Sequence, residues 1–355
     1  MKVGIVGLPN AGKSSLFNAL TKAGAEAGNY PFTTVEPNVA IVPVPDERLD
    51  RVAATVGSSH TVYETIAFHD IAGLVRGASE GEGLGNKFLG NIRETDAIIH
   101  VVRVHGDAQV VHPEGRIDPL ADVDTIETEL LYADLEQAER RVERVAKQAK
   151  SLEKAAMAEE RWLRELIEGL QAGRPAREFP APAAAPDAVR NLQPLTAKPV
   201  LYVANVGEED ALEPPAELAA RGQALAVSAR IESELAELDA EEAALMREDL
   251  GVSESGLERI IKGAFELLDL ISFFTAGEGK EARAHAIPRG TTAWQAAGKI
   301  HTDIQRGFVR AEVVPWDVLV SEGGYAGARD KGALRLEGRD YLMADGDVIT
   351  VKFTA

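Results

Sequence analysis

Gly7-Leu8-Pro9-Asn10-Ala11-Gly12-Lys13-Ser14 follows directly on the apolar run Lys2-Val3-Gly4-Ile5-Val6, and its reading decides the fold. The eight residues fit G-x-x-x-x-G-K-[ST], and the run before them has the length of a short strand. The glycines let successive backbone N–H groups turn inward around a β-phosphate. Lys13 then neutralises the β- and γ-phosphate oxygens, and the Ser14 hydroxyl is placed to ligate Mg²⁺. Ser14 to Leu20 reads as a helix whose N-terminus adds the positive end of its dipole beneath the phosphates. A glycine-rich turn with no ligand is the alternative reading; the complete pattern between strand and helix counts against it.

Working outward, Gly28 to Pro37 is a polar, proline-bearing loop containing Thr33 and Thr34. A threonine between the phosphate loop and the next motif suits a second Mg²⁺ oxygen that senses a γ-phosphate, and Thr34 is the residue expected to do so. Val39 to Val42 and Thr65 to Asp70 read as strands, the second ending in Asp70-Ile71-Ala72-Gly73, a D-x-x-G sequence. Asp70 at a strand end beside the phosphate loop can hold Mg²⁺ through water, and the Gly73 N–H can bond a γ-phosphate. Leu74 follows, where regulatory GTPases carry a glutamine that orients the attacking water, a task closed to an apolar side chain. Asp96 to Val102 is a continuous apolar run, as in a central parallel strand, and its His100 reads as a core residue. The loop beyond it carries His105 and His112; a solvated turn is the plain reading of both.

From Thr125 the register changes. Leu131, Leu135, Ala138, Val142, Val145, Ala149 and Leu152 alternate spacings of four and three over three heptads. A second amphipathic segment carries Trp162, Leu166 and Leu170, so the pair predicts an antiparallel helical hairpin packing its own coiled-coil seam. Val200 to Ala204 is another buried strand and ends at Asn205-Val206-Gly207-Glu208. A guanine site reads N-K-x-D, its Asp accepting from guanine N1–H and the 2-amino group. Here Val206 stands for the Lys and Glu208 for the Asp. Ala224 to Val227 is the last strand of the alternating pattern. Ser228-Ala229-Arg230 after it is similar to the S-A-K loop near a guanine carbonyl, and Gly256 to Leu270 reads as a closing helix.

Strands alternating with helices, with ligand loops at strand C-terminal ends, predict an α/β doubly wound sheet over residues 1–125 and 195–270. The hairpin, 126–194, is inserted into it, and 271–355 is an α+β module of its own. The formal charge of −19 argues against a protein that coats nucleic acid by bulk electrostatics. The charge is uneven: 271–355 holds eleven basic and eleven acidic residues, so an RNA backbone is least opposed there. Within it, Lys280, Arg283, Arg289, Lys299, Arg306 and Arg310 face only Glu281 and Asp303, near Trp294 and Phe308. No cysteine is present, which excludes disulfides and thiolate zinc sites. The Met1-Lys2-Val3 start enters a strand without a signal sequence and no apolar run approaches a membrane span, so a cytoplasmic protein is expected.

These motifs resemble the YchF family, the Obg-like ATPases, a branch of the translation-factor class of P-loop GTPases. The resemblance rests on residues 7–14, Asn29-Tyr30-Pro31-Phe32, Glu36-Pro37-Asn38, Asp70-Ile71-Ala72-Gly73-Leu74, the inserted hairpin and the N-x-x-E site at Asn205. It also rests on a C-terminal module similar to a TGS domain of β-grasp fold. It implies that Asn10, Ala11, Gly12, Lys13, Ser14 and Ser15 bind phosphates and that Ser14 and Thr34 coordinate Mg²⁺. Val206 would meet the base through its backbone beside Asn205, Glu208 and Ser228. ATP or GTP is the expected ligand, and the ribosome the expected partner, met through the C-terminal domain of a monomer. His112, with His105 next, is the expected water-positioning group, slow hydrolysis following from Leu74. A guanine-specific GTPase of the Obg type, a P-loop kinase and a non-catalytic nucleotide-dependent adaptor are the competing readings.

Overall fold

The computed structural model describes residues 1–26, 38–71, 84–106, 115–149, 153–208, 213–252 and 254–354. Strands β1 (Lys2–Val6), β2 (Val39–Pro43), β3 (His60–Val62), β4 (Thr65–Asp70), β5 (Ala97–Arg103), β6 (Val200–Asn205) and β7 (Ala224–Val227) precede residue 228. β8 (Leu270–Thr275), β9 (Glu281–Pro288), β10 (Phe308–Pro315), β11 (Arg335–Glu337) and β12 (Asp347–Phe353) follow. The chain forms two compact units, 1–42 with 67–267 and 43–66 with 268–355. Among the described residues no helix is long and apolar enough to cross a membrane.

The first unit is built on a sheet of order β2-β4-β1-β5-β6-β7. β1 lies parallel to both β4 and β5, and β5, β6 and β7 continue in parallel. All seven residues of β5 are buried, as an unbroken apolar run requires of a strand covered on both faces. His100 belongs to this core; burial, and secondarily the Lys13 charge, push its pKa down to about 3, so the ring is neutral. Register sets the functional residues side by side at one edge of the sheet. Asp70 lies opposite Ile5, and Asn205 lies between Arg103 and Val227.

The helix Pro119–Ala149 crosses the expected 125/126 boundary without a break. With the helix Lys154–Gln171 it shares a cluster of Ala138, Val145, Trp162, Leu163, Leu166 and Leu170, against which Leu131, Leu135 and Val142 pack. The heptad seam is therefore satisfied within the chain. Asp134, fully buried, accepts hydrogen bonds from Leu195 N (2.7 Å), Thr196 N (2.8 Å) and Thr196 Oγ1 (2.7 Å), pinning the return of the chain toward β6.

The second unit holds a sheet of order β11-β10-β12-β8-β9-β3. β12 is parallel to β8 and β3 to β9, while β8/β9, β10/β11 and β10/β12 are antiparallel. Alternation along β8 sends Phe273 and Phe274, both fully buried, into two different clusters. Phe273 meets Ala293, Ala296 and Ala297 of the helix Ala293–Ile300, which opens with a capping box of Thr292 and Gln295. Phe274 meets Leu49, Val52 and Ala53 of the helix Glu47–Val56.

That last contact differs from the division read from the sequence, which kept 43–66 with the nucleotide-binding sheet. Leu49, Val52 and Ala53 are spaced i, i+3, i+4, and the apolar stripe they form needs the second face of the β8 sheet for cover. The added segment brings Asp46, Glu47, Asp50 and Glu64 against Arg48 and Arg51, so the second unit is not charge-neutral.

Candidate functional site

The phosphate loop is held in shape by contacts that exclude side chains at two glycines. A Cβ on Gly7 would collide with the Val101 carbonyl oxygen, and one on Gly12 with the Asn205 side-chain amide. Gly12 also sits at φ 99° and Asn10 at φ 62°, left-handed conformations that glycine and asparagine tolerate best. The loop thus turns tightly from β1 into the helix Lys13–Glu26, whose N-terminal turn carries Lys13, Ser14 and Ser15.

Lys13 is 7% exposed, and its Nζ donates to Gly7 O (2.9 Å) and Leu8 O (2.8 Å) of its own loop. Burial lowers its pKa to about 8, with the Asp70 carboxylate opposing the shift. Burial raises Asp70, and Lys13 opposes that in turn. The two charges therefore share one environment at the ends of β1 and β4. Ser14 lines the cavity beside them. A hydroxyl and a carboxylate oxygen are the donors Mg²⁺ takes, so the set fits that ion. Among the described residues no group of three or more His, Asp or Glu could hold a metal unaided. The ion would thus rely on phosphate oxygens for the rest of its shell.

Asn205 joins the two ends of the site. Its Nδ2 donates to Ala11 O (3.0 Å) and its Oδ1 accepts from Ala229 N (3.0 Å), tying the phosphate loop to the helix Ala229–Leu235. Ser228 caps that helix, its hydroxyl accepting from Ile231 N. Val206 is 4% exposed and packs with Val102, Val123 and Tyr202, so its main chain is what faces the cavity. Glu208 stands at the mouth, paired with Arg230.

Asn10, Gly12, Lys13, Ser14, Ser15, Asn205, Val206, Glu208 and Ser228 are brought together around one cavity of about 980 Å³. Ala11 is buried behind it and contributes its carbonyl to Asn205. His105 also lines it, reached from β5 through Arg103, whose Nε donates to His105 O at 3.2 Å. Thr34, Gly73 and His112 lie outside the described residues. The sequence reading missed Arg103, Ser233 and Glu234 as lining residues, and the clip role of Asn205. Only the opposite charges of Glu208 and Arg230, 22 residues apart, hinted at the pair that stands there.

The expected basic face at 280–310 is altered by the fold. Lys299 pairs with Glu64 (3.3 Å), Arg283 with Glu281 (2.9 Å), Arg289 with Asp269 (3.0 Å) and Arg306 with Asp303 (3.7 Å). Two of these acids, Glu64 and Asp269, come from outside the stretch, so its local excess of +4 is halved to +2. Phe308 is 3% exposed and belongs to the core, while Trp294 is 38% exposed.

A family model described as 50S ribosome-binding GTPase matches residues 2–148, and the YchF-GTPase C-terminal model, described as a protein of unknown function, matches 270–354. The Ribosome-binding ATPase YchF of Bacillus subtilis (strain 168) is 48% identical over 99% of both chains. Its counterpart in Escherichia coli O157:H7 is 47% identical, again over 99% of both. The solved structure of the Schizosaccharomyces pombe YchF GTPase superposes with a TM-score of 0.87 at 36% identity, covering 99% of this chain and 97% of that one.

Proposed function

This chain belongs to the YchF family, and from that premise we propose that it is a Mg²⁺-dependent switch hydrolysing ATP, with GTP also accepted, whose nucleotide state is read by the ribosome. The observation that carries this reading is one cavity lined by Asn10 and Gly12 to Ser15 at one end and Asn205 to Glu208 at the other. It has the volume of a small-molecule site. Relatives bear names of both kinds, ATPase and GTPase, in keeping with a base end that has lost the Lys and Asp of N-K-x-D. The switch works in the cytoplasm as a monomer, its helical pair read as an inserted antiparallel hairpin and its second unit as a TGS-like β-grasp module.

On binding, Lys13 exchanges the carbonyls of Gly7 and Leu8 for β- and γ-phosphate oxygens. Ser14, Thr34 and Asp70 would hold Mg²⁺, and the Gly73 N–H would meet the γ-phosphate. The chemistry that Mg²⁺ would supply there is charge neutralisation on the phosphate oxygens. Leu74 cannot orient water, so a histidine on the loop after β5 takes that role: His112 first, His105 next. An imidazole that positions water contributes roughly 10²-fold or more to turnover. We expect a loss of that order in His112→Ala, or failing that in His105→Ala, read by phosphate release at saturating ATP. Unchanged turnover in both variants removes the assignment.

The ribosome contact is assigned to the second unit. Arg310 and Lys352 are exposed cross-strand partners of β10 and β12, and Lys352 pairs with Glu312 at 3.0 Å, so a phosphate would compete with that carboxylate for the ammonium while Arg310 adds a second charge beside it. Co-sedimentation with ribosomes in the presence of an ATP analogue should fall steeply with salt. It should fall further in an Arg310→Glu/Lys352→Glu variant. Binding by that variant equal to wild type moves the contact elsewhere. The full chain is needed for this test, since a 1–270 fragment would strip the helix Glu47–Val56 of its cover.

A further inference from the structure

The base end of the cavity contains an ion pair that nucleotide binding does not by itself require. Arg230 Nη1 lies 2.8 Å from Glu208 Oε1, and Arg230 Nε donates to Glu234 Oε1 at 3.2 Å. All three residues line the cavity. Glu208 closes the N-x-x-E stretch after β6, and Arg230 is the second residue of the helix capped by Ser228. Asn205 Oδ1 holds Ala229 N at 3.0 Å, so the two segments are fixed to each other beside the pair.

Guanine presents two adjacent donors, N1–H and the 2-amino group, and a carboxylate reads the pair best with one oxygen aligned on each. Hypoxanthine presents N1–H alone, and adenine N1 is an acceptor. Resting on the reading that Asn205 to Glu208 meets the base, we propose that Arg230 is a base-selectivity residue that ties up one oxygen of Glu208. With Oε1 drawn to Arg230, the carboxylate is held out of the two-oxygen alignment that guanine needs, and the site loses its means of preferring GTP. The glutamate alone, one methylene longer than aspartate, would still reach a guanine edge. The pairing is what silences it.

The pair is partly exposed, and such pairs contribute little to folding, so Arg230→Gln keeps the fold, which its melting curve verifies. Competition binding is measured with ATP, GTP and ITP in Mg²⁺ for the wild type, Arg230→Gln and Arg230→Gln/Glu208→Gln. The wild type should bind GTP and ITP about equally. Freeing Glu208 in Arg230→Gln should raise GTP over ITP by about tenfold, the worth of one hydrogen bond to a charged acceptor, with ATP unchanged. The double variant should return the ratio to near one, an outcome that a merely structural role for Arg230 does not produce. A wild type already preferring GTP over ITP tenfold overturns the proposal, as does an Arg230→Gln ratio that does not move. Either result leaves the nucleotide reading standing. That reading fails, and this proposal with it, only if the wild type binds none of the three.

Discussion

Lys13→Ala should lower ATP affinity by about 10³-fold, to the point where saturation is not reached at millimolar nucleotide, because two charge-assisted bonds worth roughly 2 kcal/mol each disappear together. The ammonium is nearly buried, so its field on a bound phosphate is screened little by water. The same ammonium is satisfied within its own loop by Gly7 O and Leu8 O, which positions it without fixing it there. Folding should not suffer from its removal. A buried lysine whose pKa is lowered to about 8 is disfavoured as a cation in the folded state, so the alanine variant should melt no earlier than wild type. Lys13→Arg should not rescue binding, since a planar fork does not replace a point charge in so narrow a loop. Titration of a fluorescent ATP analogue decides the matter, and wild-type affinity in Lys13→Ala would refute the phosphate assignment.

The second large effect is on stability in acid. His100 is held down to about 3 by burial and by Lys13, and His285 to about 4 by burial and by Arg283. His285 stacks on Phe273 with centroids 4.8 Å apart and shares a hydrogen bond of 3.1 Å with Thr275. Both rings stay neutral in the folded chain well below the pH at which they charge in the unfolded one. The unfolded state therefore binds more protons, and stability falls as pH drops. The contribution is complete above about pH 6.5 and is lost on the way to pH 4 for His285 and to pH 3 for His100, about 3 kcal/mol for each ring by pH 4. Denaturant unfolding at pH 7 and pH 4.5 should show the loss. In His285→Gln the part carried by the second unit should vanish, leaving a shallower pH slope. Identical slopes in wild type and variant would sink the argument.

What could be read from the sequence was what is local. Gly7 to Ser14, Asp70 to Gly73 and Asn205 to Glu208 each sit at the end of an apolar strand, so pattern and spacing alone put them at one edge of a parallel sheet. The seam of Leu131, Ala138, Val142 and Val145 was legible because heptad spacing is itself the packing rule. Residues 43–66 were not legible. An amphipathic helix shows that it has an apolar stripe without naming the surface that covers it, and the cover here lies more than 200 residues along the chain. The charge balance of the stretch at 280–310 was only half legible for a related reason: Glu64 and Asp269 reach it only through the fold. Arg230 could be seen in the sequence, but its grip on Glu208 could not.

The placement of 43–66 also sets a timetable. The helix Glu47–Val56 leaves the translating ribosome long before β8, β9, β10 and β12 exist, and Leu49, Val52 and Ala53 have no sheet to rest on until those strands are made. At synthesis rates of roughly 5–20 residues per second, the wait is on the order of 15–60 seconds. The nucleotide-binding unit can be assembled around its own sheet in that interval. The second unit must be finished after its last strand emerges, and a nascent chain halted between residues 66 and 268 would carry an apolar helix face with nothing yet synthesised to cover it.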